Sequence, residues 1–111
     1  MQKSEVKLRA WLKFILAVHE AAPRLHPQGA LVFIIVAEAE EIDQTVLARK
    51  LNCSRVALSR LLGMVGSNGK GSLGLVDSRS DGDDRRRKTI FLTPKGRYLI
   101  ERMTELAKDL T

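Results

Sequence analysis

Apolar residues recur at three- and four-residue intervals from Ser4 to Ala22, which predicts a first helix. The stripe is Leu8, Leu12, Ile15, Val18 and Ala22. Trp11 lies outside this stripe, together with other apolar residues, so the helix is apolar on more than one side. We expect one side to face its own domain and another to face a second chain. Burial of both sides in one core is the alternative.

A second apolar stretch, from Pro27 to about Glu40, is predicted to form the central core helix. Proline is tolerated in the first turn of a helix, so Pro27 fits the helix start. The β-branched residues here also suit a buried strand, but the length of the stretch favours a helix. Glu41 and Ile42 follow directly and are candidates for a short strand that pairs with a downstream hairpin.

Two short helices joined by a tight turn are predicted next. Asp43 suits the N-cap of a third helix over 44–51. The residues expected to face inward are Val46, Leu47 and Leu51. Asn52 occupies the turn, where asparagine tolerates a positive φ better than most residues, and Ser54 can cap a fourth helix. Such a pair forms a helix-turn-helix, whose second helix can enter a DNA major groove.

A hairpin and a final helix complete the pattern. Extended stretches at 75–80 and 85–92 flank residues 81–84, which begin with the hairpin signal Asp-Gly. Thr93 and Pro94 then supply an N-cap and a first-turn proline for a helix that runs to about Leu110. Apolar residues recur along it at intervals of four, three and four residues, which predicts a seam that packs on the first helix, on a second copy of the chain, or on both. The seam is Leu99, Met103, Leu106 and Leu110.

These elements predict a single domain over residues 1–111, mainly α with a small β-hairpin, of the winged helix-turn-helix class. Residues 43–66 form the helix-turn-helix and 75–92 form the wing, while the helices at 1–22 and 94–110 serve dimerisation. A length of 111 residues fits one domain. The 44% of hydrophobic residues is enough for a core at this size.

The net charge of +6 is concentrated in one part of the chain. Residues 52–97 hold ten Lys and Arg against four Asp and Glu, whereas the rest holds nine of each. The excess therefore falls on the fourth helix and the hairpin. A localised basic surface is typical of nucleic-acid binding. Charge alone fits a solvated face equally well, and the helix-turn-helix pattern favours DNA.

Several other classes are disfavoured. No apolar run approaches the roughly 20 residues of a membrane-spanning helix, and the charged start does not resemble a signal peptide. The single cysteine excludes an internal disulfide, so a cytoplasmic location is the simplest expectation. His19 and His26 lack Cys or carboxylate neighbours at ligand spacing, so we predict no metal site, cofactor or enzymatic activity.

Two short features have both a functional and a structural interpretation. Cys53 fits either a redox sensor or a small packing residue, and the lack of a second cysteine favours packing. Gly69-Lys70 resembles part of a phosphate-binding loop, but Met64 replaces the first glycine and Gly71 follows the lysine. We interpret 66–74 as a flexible loop in which Lys70 contacts a DNA phosphate.

The hairpin and the helix after it resemble the bacterial MarR family of transcription regulators. That family shows Asp-x-Arg at the wing tip, an alternating return strand and Leu-Thr-x-x-Gly opening a helix. The matching residues are Asp84, Arg86, Leu92, Thr93 and Gly96. Leu51-Asn52-Cys53-Ser54 and Ser59-Arg60 are similar to the Leu-Gly-Val-Ser and later Ser-Arg of the family's recognition region. The resemblance covers roughly 42–99.

The resemblance implies a homodimer on a near-palindromic DNA site, with the fourth helix in the major groove and a wing arginine in the minor groove. It implies a short form with trimmed C-terminal helices, because typical members continue with more helix. The family's ligand pocket lies near the dimer interface, and the sequence identifies no effector. The expected interface residues are Leu8, Trp11, Leu12, Ile15, Leu99, Met103, Leu106 and Leu110.

Groove chemistry assigns roles within the fourth helix. Arg55 and Arg60 can make paired hydrogen bonds to guanine edges or reach phosphates. Ala57 is small enough to contact a thymine methyl group, and Leu58 is either a further contact or a core residue. The whole predicted DNA-contacting set is Ser54, Arg55, Ala57, Leu58, Ser59, Arg60, Lys70, Arg79, Arg85, Arg86, Arg87, Lys88 and Thr89.

The wing is assigned a different role. Arg86 is the expected minor-groove residue, because narrow A/T-rich grooves attract arginine. Asp84 suits the orientation of a neighbouring arginine rather than contact with anionic DNA. Ser54, Ser59 and Thr89 suit phosphate contacts, which position a protein on DNA without specifying sequence.

The sequence therefore predicts a transcription regulator that binds double-stranded DNA sequence-specifically. Two alternatives remain open at this point. One is a protein-interaction module that uses the winged-helix fold, and the other is a phage or plasmid replication or partition protein. Salt-dependent binding to random duplex DNA separates a DNA-binding protein from the interaction module.

Overall fold

The computed structural model describes residues 3–66, 72–82 and 84–108, and the side chains of these residues except 3–7, 81 and 84–86. This part of the chain forms five helices and one three-stranded antiparallel sheet. The helices are α1 (Lys3–Ala21), α2 (Pro27–Ala39), α3 (Gln44–Leu51), α4 (Arg55–Val65) and α5 (Pro94–Ala107). The strands are β1 (Glu41–Asp43), β2 (Val76–Asp81) and β3 (Asp84–Leu92). The predicted architecture, mainly α with a small hairpin, is confirmed.

α2 lies at the centre of the hydrophobic core. Its residues Val32, Phe33 and Val36 are fully buried, and fully buried leucines of α3 and α4, Leu47 and Leu58, belong to the same cluster. The helical interpretation of this stretch is therefore correct. One side of α2 nevertheless faces solvent, and Leu31 and Ile34 are exposed there.

The three predicted N-caps are present. Asp43, Ser54 and Thr93 each accept a hydrogen bond from a backbone N–H in the first turn of the helix that follows, at 2.8, 3.1 and 3.0 Å. Each cap satisfies a donor that has no partner inside its helix. Asn52 has a φ of 52°, as the turn between α3 and α4 was expected to require.

β3 is the central strand, with β1 on one side and β2 on the other. Ile90 of β3 is paired with Ile42 of β1 and Ser78 of β2. Alternate residues of β3 turn toward the helices, and Ile90 and Leu92 are buried there, as predicted. The short strand expected at Glu41 and Ile42 is present and continues through Asp43.

The hairpin contains a shift of register near its tip. Ser80 pairs with Lys88, but the next residue, Asp81, pairs with Asp84. The three arginines at 85–87 are therefore looped out of the ladder between β2 and β3. An insertion of this kind bends the strand and increases its twist.

One inward-facing prediction in α3 is wrong. Val46 is exposed, whereas Ala48 is buried beside Leu47. The helix has only eight residues, and its inner side is filled by Leu47, Ala48 and the half-buried Leu51. Val46 lies about 100° around the helix from Leu47, which turns it toward solvent.

Gly96 marks a close approach between α5 and the segment before β2. Thr93 Oγ1 donates a hydrogen bond to the carbonyl of Gly74 at 2.6 Å, which holds the start of α5 against this segment. A Cβ atom on residue 96 would collide with the carbonyl oxygen of Leu75. Glycine is therefore required for steric reasons.

We expect Gly96→Ala to lower the free energy of unfolding by about 1–3 kcal/mol, the usual cost of forcing extra volume into a packed site. Gly63→Ala is the matched control, because a Cβ on this exposed α4 residue meets nothing within 4 Å. It should stabilise the protein by up to about 1 kcal/mol through helix propensity. Urea unfolding of both variants measures the difference. Equal stability of Gly96→Ala and the parent would contradict the close approach.

Candidate nucleic-acid interface

α4 presents one basic face to solvent. Its exposed residues follow one another at alternating intervals of one and three, so they share one side of the helix. They are Arg55, Val56, Ser59, Arg60 and Gly63. The opposite side is anchored by Leu58 and Val65, which are fully buried. α4 contains no acidic residue, so its exposed face carries positive charge alone.

Two of the predicted DNA contacts are wrong. Leu58 is fully buried beneath α4, and its side chain has no surface to offer to a base. Thr89 lies in the central strand, paired with Asp43 on one side and Arg79 on the other, and it is 8% exposed. Leu58 belongs to the core, and Thr89, on the opposite face of β3 from Ile90, is covered by its neighbours on the outer face of the sheet. Val56 is the exposed apolar residue of α4 instead, with 73% of its surface accessible.

α4 and the wing border one cavity of about 250 Å³. Ser59 and Gly63 line it from α4, Ser78 and Lys88 from the strands, and Gln44 from the start of α3. The outer face of α4 and the stem of the wing therefore lie on the same side of the molecule. Sequence periodicity did not identify Gln44 or Ser78, because only the sheet pairing brings them to this site.

The outer face of the sheet holds two ion pairs that involve predicted DNA contacts. Arg79 Nη2 lies 2.8 Å from Glu41 Oε2, and its guanidinium stacks over the Phe91 ring, 5.4 Å from the ring centroid. Arg87 Nε lies 3.6 Å from Asp43 Oδ2. Two arginines that the sequence assigned to DNA thus already contact carboxylates of β1.

The carboxylates of these pairs are held in their charged form. The hydrogen bond from Arg79 lowers the pKa of Glu41. The backbone N–H of Thr45 lowers the pKa of Asp43, and the charge of Arg87 adds to this effect. Both carboxylates are therefore charged at neutral pH, and acidification that protonates them removes the ion pairs.

Part of the predicted site lies outside the described residues. Lys70 falls in the undescribed stretch at 67–71, and Leu110 falls beyond residue 108. For Asp84, Arg85 and Arg86 the backbone belongs to β3, but the side chains lie outside the described part of the structure. The assignments of these residues stay predictions.

The predicted interface residues fall into two groups. Leu8, Trp11, Leu12 and Ile15 of α1 are between 49% and 67% exposed, so α1 carries a large apolar patch. Leu99 and Met103 of α5 are buried in the core of their own chain, and Leu106 is half-buried. The prediction that Leu99 and Met103 meet a second copy is therefore wrong, because the seam of α5 packs within the chain.

Cys53 is half-buried and packs against the core. It lines a cavity of about 310 Å³ whose other walls include Leu31, Leu51 and Leu61. These apolar neighbours agree with its interpretation as a packing residue.

A larger cavity, of about 450 Å³, lies between the end of α1, the segment before β2 and α5. Leu75, Tyr98 and Leu99 supply part of an apolar wall, and Arg24, Lys95 and Arg102 supply positive charge. Among the described residues that line it, none is acidic. Such a cavity suits a small molecule with an aromatic ring and a negative group.

The described residues contain neither a metal-binding cluster nor a membrane-spanning helix. Between residues 3 and 108, excluding the undescribed gaps, no three His, Cys, Asp or Glu residues are grouped to hold a metal ion. In the same part of the chain, no helix combines the length and apolar character needed to cross a membrane.

Neither a protein-family model nor a curated protein matches the sequence, but solved structures match the fold. The structure is similar to a mutant MarR from E. coli complexed with operator DNA, with a TM-score of 0.70 and 20% identity over 96% of this chain and 72% of that one. It is also similar to BpsR from Bordetella bronchiseptica, described with regulation of its DNA binding by 6-hydroxynicotinic acid, with a TM-score of 0.62 and 18% identity over 99% and 81% of the two chains. NadR in complex with 4-hydroxyphenylacetate gives a TM-score of 0.62 and 23% identity over 88% and 71%. The predicted winged helix-turn-helix fold of MarR structures is therefore confirmed.

Proposed function

We propose that this protein is a MarR-type transcription regulator that binds double-stranded DNA sequence-specifically. The observation that carries the proposal is the outer face of α4, where Arg55, Ser59 and Arg60 stand on a capped helix beside the wing. The major groove of B-DNA admits an α-helix, and its base edges distinguish all four base pairs. A basic helix face without acidic residues suits that groove.

Several residues of α4 and its N-cap have distinct parts in this proposal. Arg55 and Arg60 donate paired hydrogen bonds to guanine edges. Val56 replaces Leu58 as the apolar contact for a thymine methyl group, and the half-buried Ala57 lies next to it. The hydroxyl of Ser54 accepts from a backbone N–H and still has its own proton to donate to a phosphate.

The wing completes the contact with DNA. Arg86 enters the minor groove, and Arg85 and Lys88 contact phosphates beside it. Lys88 also lines the cavity that α4 and the wing share, which supports simultaneous contact by both elements. Lys70 adds a phosphate contact from the preceding loop.

The apolar patch of α1 supports a homodimer. Contiguous exposed apolar patches, unlike single apolar residues scattered on a surface, mark interaction surfaces. Leu8 and Ile15 lie along the midline of the patch, and Trp11 and Leu12 lie on its two sides. A two-fold dimer formed through α1 presents two copies of α4 to the two halves of a near-palindromic site.

A salt titration separates this function from a protein-interaction role. The unmodified protein is titrated onto a random-sequence duplex at several salt concentrations. Binding should weaken steeply with salt, with one counterion released for nearly every phosphate contacted. A protein-interaction module should bind the duplex at none of these concentrations, and that result would reject the proposal.

We also propose that the 450 Å³ cavity binds a small aromatic carboxylate that regulates DNA binding. The structural neighbours NadR and BpsR are described with 4-hydroxyphenylacetate and 6-hydroxynicotinic acid respectively. In this chain Arg24, Lys95 and Arg102 attract a carboxylate, and Tyr98 and Leu99 form part of the wall beside them.

At millimolar concentration, 4-hydroxyphenylacetate or 6-hydroxynicotinic acid should raise the melting temperature of this protein, because a ligand that binds only the folded state stabilises it. Arg102→Gln should abolish the shift, and Lys50→Gln, which removes one exposed charge from α3, should retain it. Differential scanning fluorimetry measures both variants. A shift of equal size in Arg102→Gln and in the parent would place the ligand elsewhere.

A further inference from the structure

We propose that two carboxylates of β1 are positioning residues that set the direction of the wing relative to α4. With their arginine partners they form what we call the outer-face latch. Its members are Glu41, Asp43, Arg79 and Arg87. The inference rests on the proposed DNA binding, and it assigns Arg79 and Arg87 to the geometry of the wing rather than to DNA phosphates.

The first arm of the latch spans the whole sheet. Glu41 lies on β1 and Arg79 on β2, and β3 separates these two strands. The 2.8 Å ion pair therefore crosses the central strand. The guanidinium rests on the Phe91 ring as it crosses, which adds a cation–π attraction and restricts the arginine to this path. The arm ties the stem of the wing to the strand that leads into α3.

The second arm begins where the regular hairpin ends. Arg87 is the last of the three looped-out arginines, and its Nε lies 3.6 Å from Asp43 Oδ2. The other carboxylate oxygen of Asp43 accepts the capping hydrogen bond from the Thr45 N–H at 2.8 Å. One side chain therefore joins the base of the wing tip to the first turn of α3. Because a short turn connects α3 to α4, the wing and α4 are both positioned relative to Asp43.

The latch acts where burial provides little rigidity. In the distal stem, Arg79, Ser80, Arg87 and Lys88 are all exposed. Exposed ion pairs contribute little to the stability of a whole domain. Their effect is therefore expected in the direction and local mobility of the wing, and not in the melting temperature.

Two single variants test the first arm. Glu41→Gln and Arg79→Gln should each weaken binding to a selected duplex by about two- to fivefold, the range of a lost exposed ion pair. The salt dependence should stay as in the parent, because no phosphate contact is removed. If Arg79 contacts a phosphate instead, the results should differ. Arg79→Gln should then flatten the salt dependence by about one phosphate per wing, and Glu41→Gln should strengthen binding.

A double variant in which the two charges are exchanged tests whether the ion pair alone restores DNA binding. The double variant Glu41→Arg with Arg79→Glu restores an ion pair of opposite polarity, and binding should recover to within about twofold of the parent. A phosphate-contacting Arg79 gives no recovery. Asp43→Asn tests the second arm, because asparagine keeps the N-cap and loses only the charge. It should weaken binding about as much as Glu41→Gln, at an unchanged melting temperature.

Amide hydrogen exchange of the free protein tests the latch without DNA. In Glu41→Gln the stem amides around Arg79 and Thr89 should exchange several-fold faster than in the parent, and those of Val32 and Val36 in α2 should be unchanged. Equal stem exchange in the two proteins would overturn the latch, whether or not DNA binds. If exchange changes as expected but no duplex is bound, the proposed DNA function fails and the latch stands.

Discussion

Arg55→Ala and Arg60→Ala should each weaken binding to the cognate duplex by about 1–3 kcal/mol, the usual discrimination supplied by one bidentate arginine–guanine contact. Each loss should also relax the sequence preference at one position per half-site. The physical reason is that both side chains project from the exposed face of α4. Binding to a scrambled duplex should change much less than binding to the cognate duplex.

Arg86→Ala should affect DNA binding differently, because contacts in the minor groove distinguish mainly A·T from G·C pairs. Its loss should weaken binding to many sequences and flatten the salt dependence by about one phosphate per wing. Arg97→Ala is the control, since it removes the same charge from an exposed position of α5. Titrations on cognate and scrambled duplexes at several salt concentrations compare all four variants. If the three test variants bind both duplexes as the parent does, α4 and the wing do not read DNA.

Ile15→Glu should convert the protein from a dimer to a monomer and reduce binding to a palindromic site by at least about tenfold. Ile15 is 58% exposed within the α1 patch, so a charge there breaks the proposed interface without disturbing the core. Loss of the dimer removes the second copy of α4 from the site, and with it the gain from two linked contacts. Leu106→Glu should also give monomers, but Leu106 is half-buried within its own chain and is the less selective variant.

Lys13→Gln is the matched control for the dimer. It makes the same change of one charge unit on an exposed residue of α1, about 200° around the helix from Ile15. Its mass and its DNA affinity should equal those of the parent. Light scattering at micromolar concentration reports the mass, and a single-chain mass for the unmodified protein would refute the proposed dimer.

Short-range chemistry made much of the fold predictable. Asp43, Ser54 and Thr93 each cap a helix within three residues of themselves, and Asn52 adopts the φ that its turn requires. Such signals depend on neighbours in sequence, so they can be identified before any tertiary contact is known. The order of helices and strands followed from these signals together with apolar spacing.

The wrong predictions concern what each apolar residue packs against: its own core, a second chain, DNA or solvent. Spacing marked Leu58, Leu99 and Met103 as apolar, but it did not distinguish their own core from DNA or a second chain. The structure places all three in the core. Conversely, Val46 was expected to be buried and is exposed, because neighbouring positions already fill the inner side of its helix.

The outer-face latch was not predictable for a related reason. Arg79 and Glu41 are 38 positions apart in the chain. They meet only because β3 brings β1 and β2 to its two sides in one particular register. The basic surplus of residues 52–97 therefore overstates the charge available to DNA, since Arg79 and Arg87 are paired with carboxylates.

Selection of bound duplexes from a random DNA pool, followed by sequencing, tests the central claim most directly. If α4 reads base edges from a two-fold dimer, the bound fraction should be enriched in an inverted repeat whose half-sites lie about one helical turn, roughly 10 base pairs, apart. Guanines are expected in each half-site where Arg55 and Arg60 reach, with A·T pairs toward the wings. A bound fraction with the base composition of the starting pool, or no bound fraction at all, would contradict sequence-specific recognition by α4.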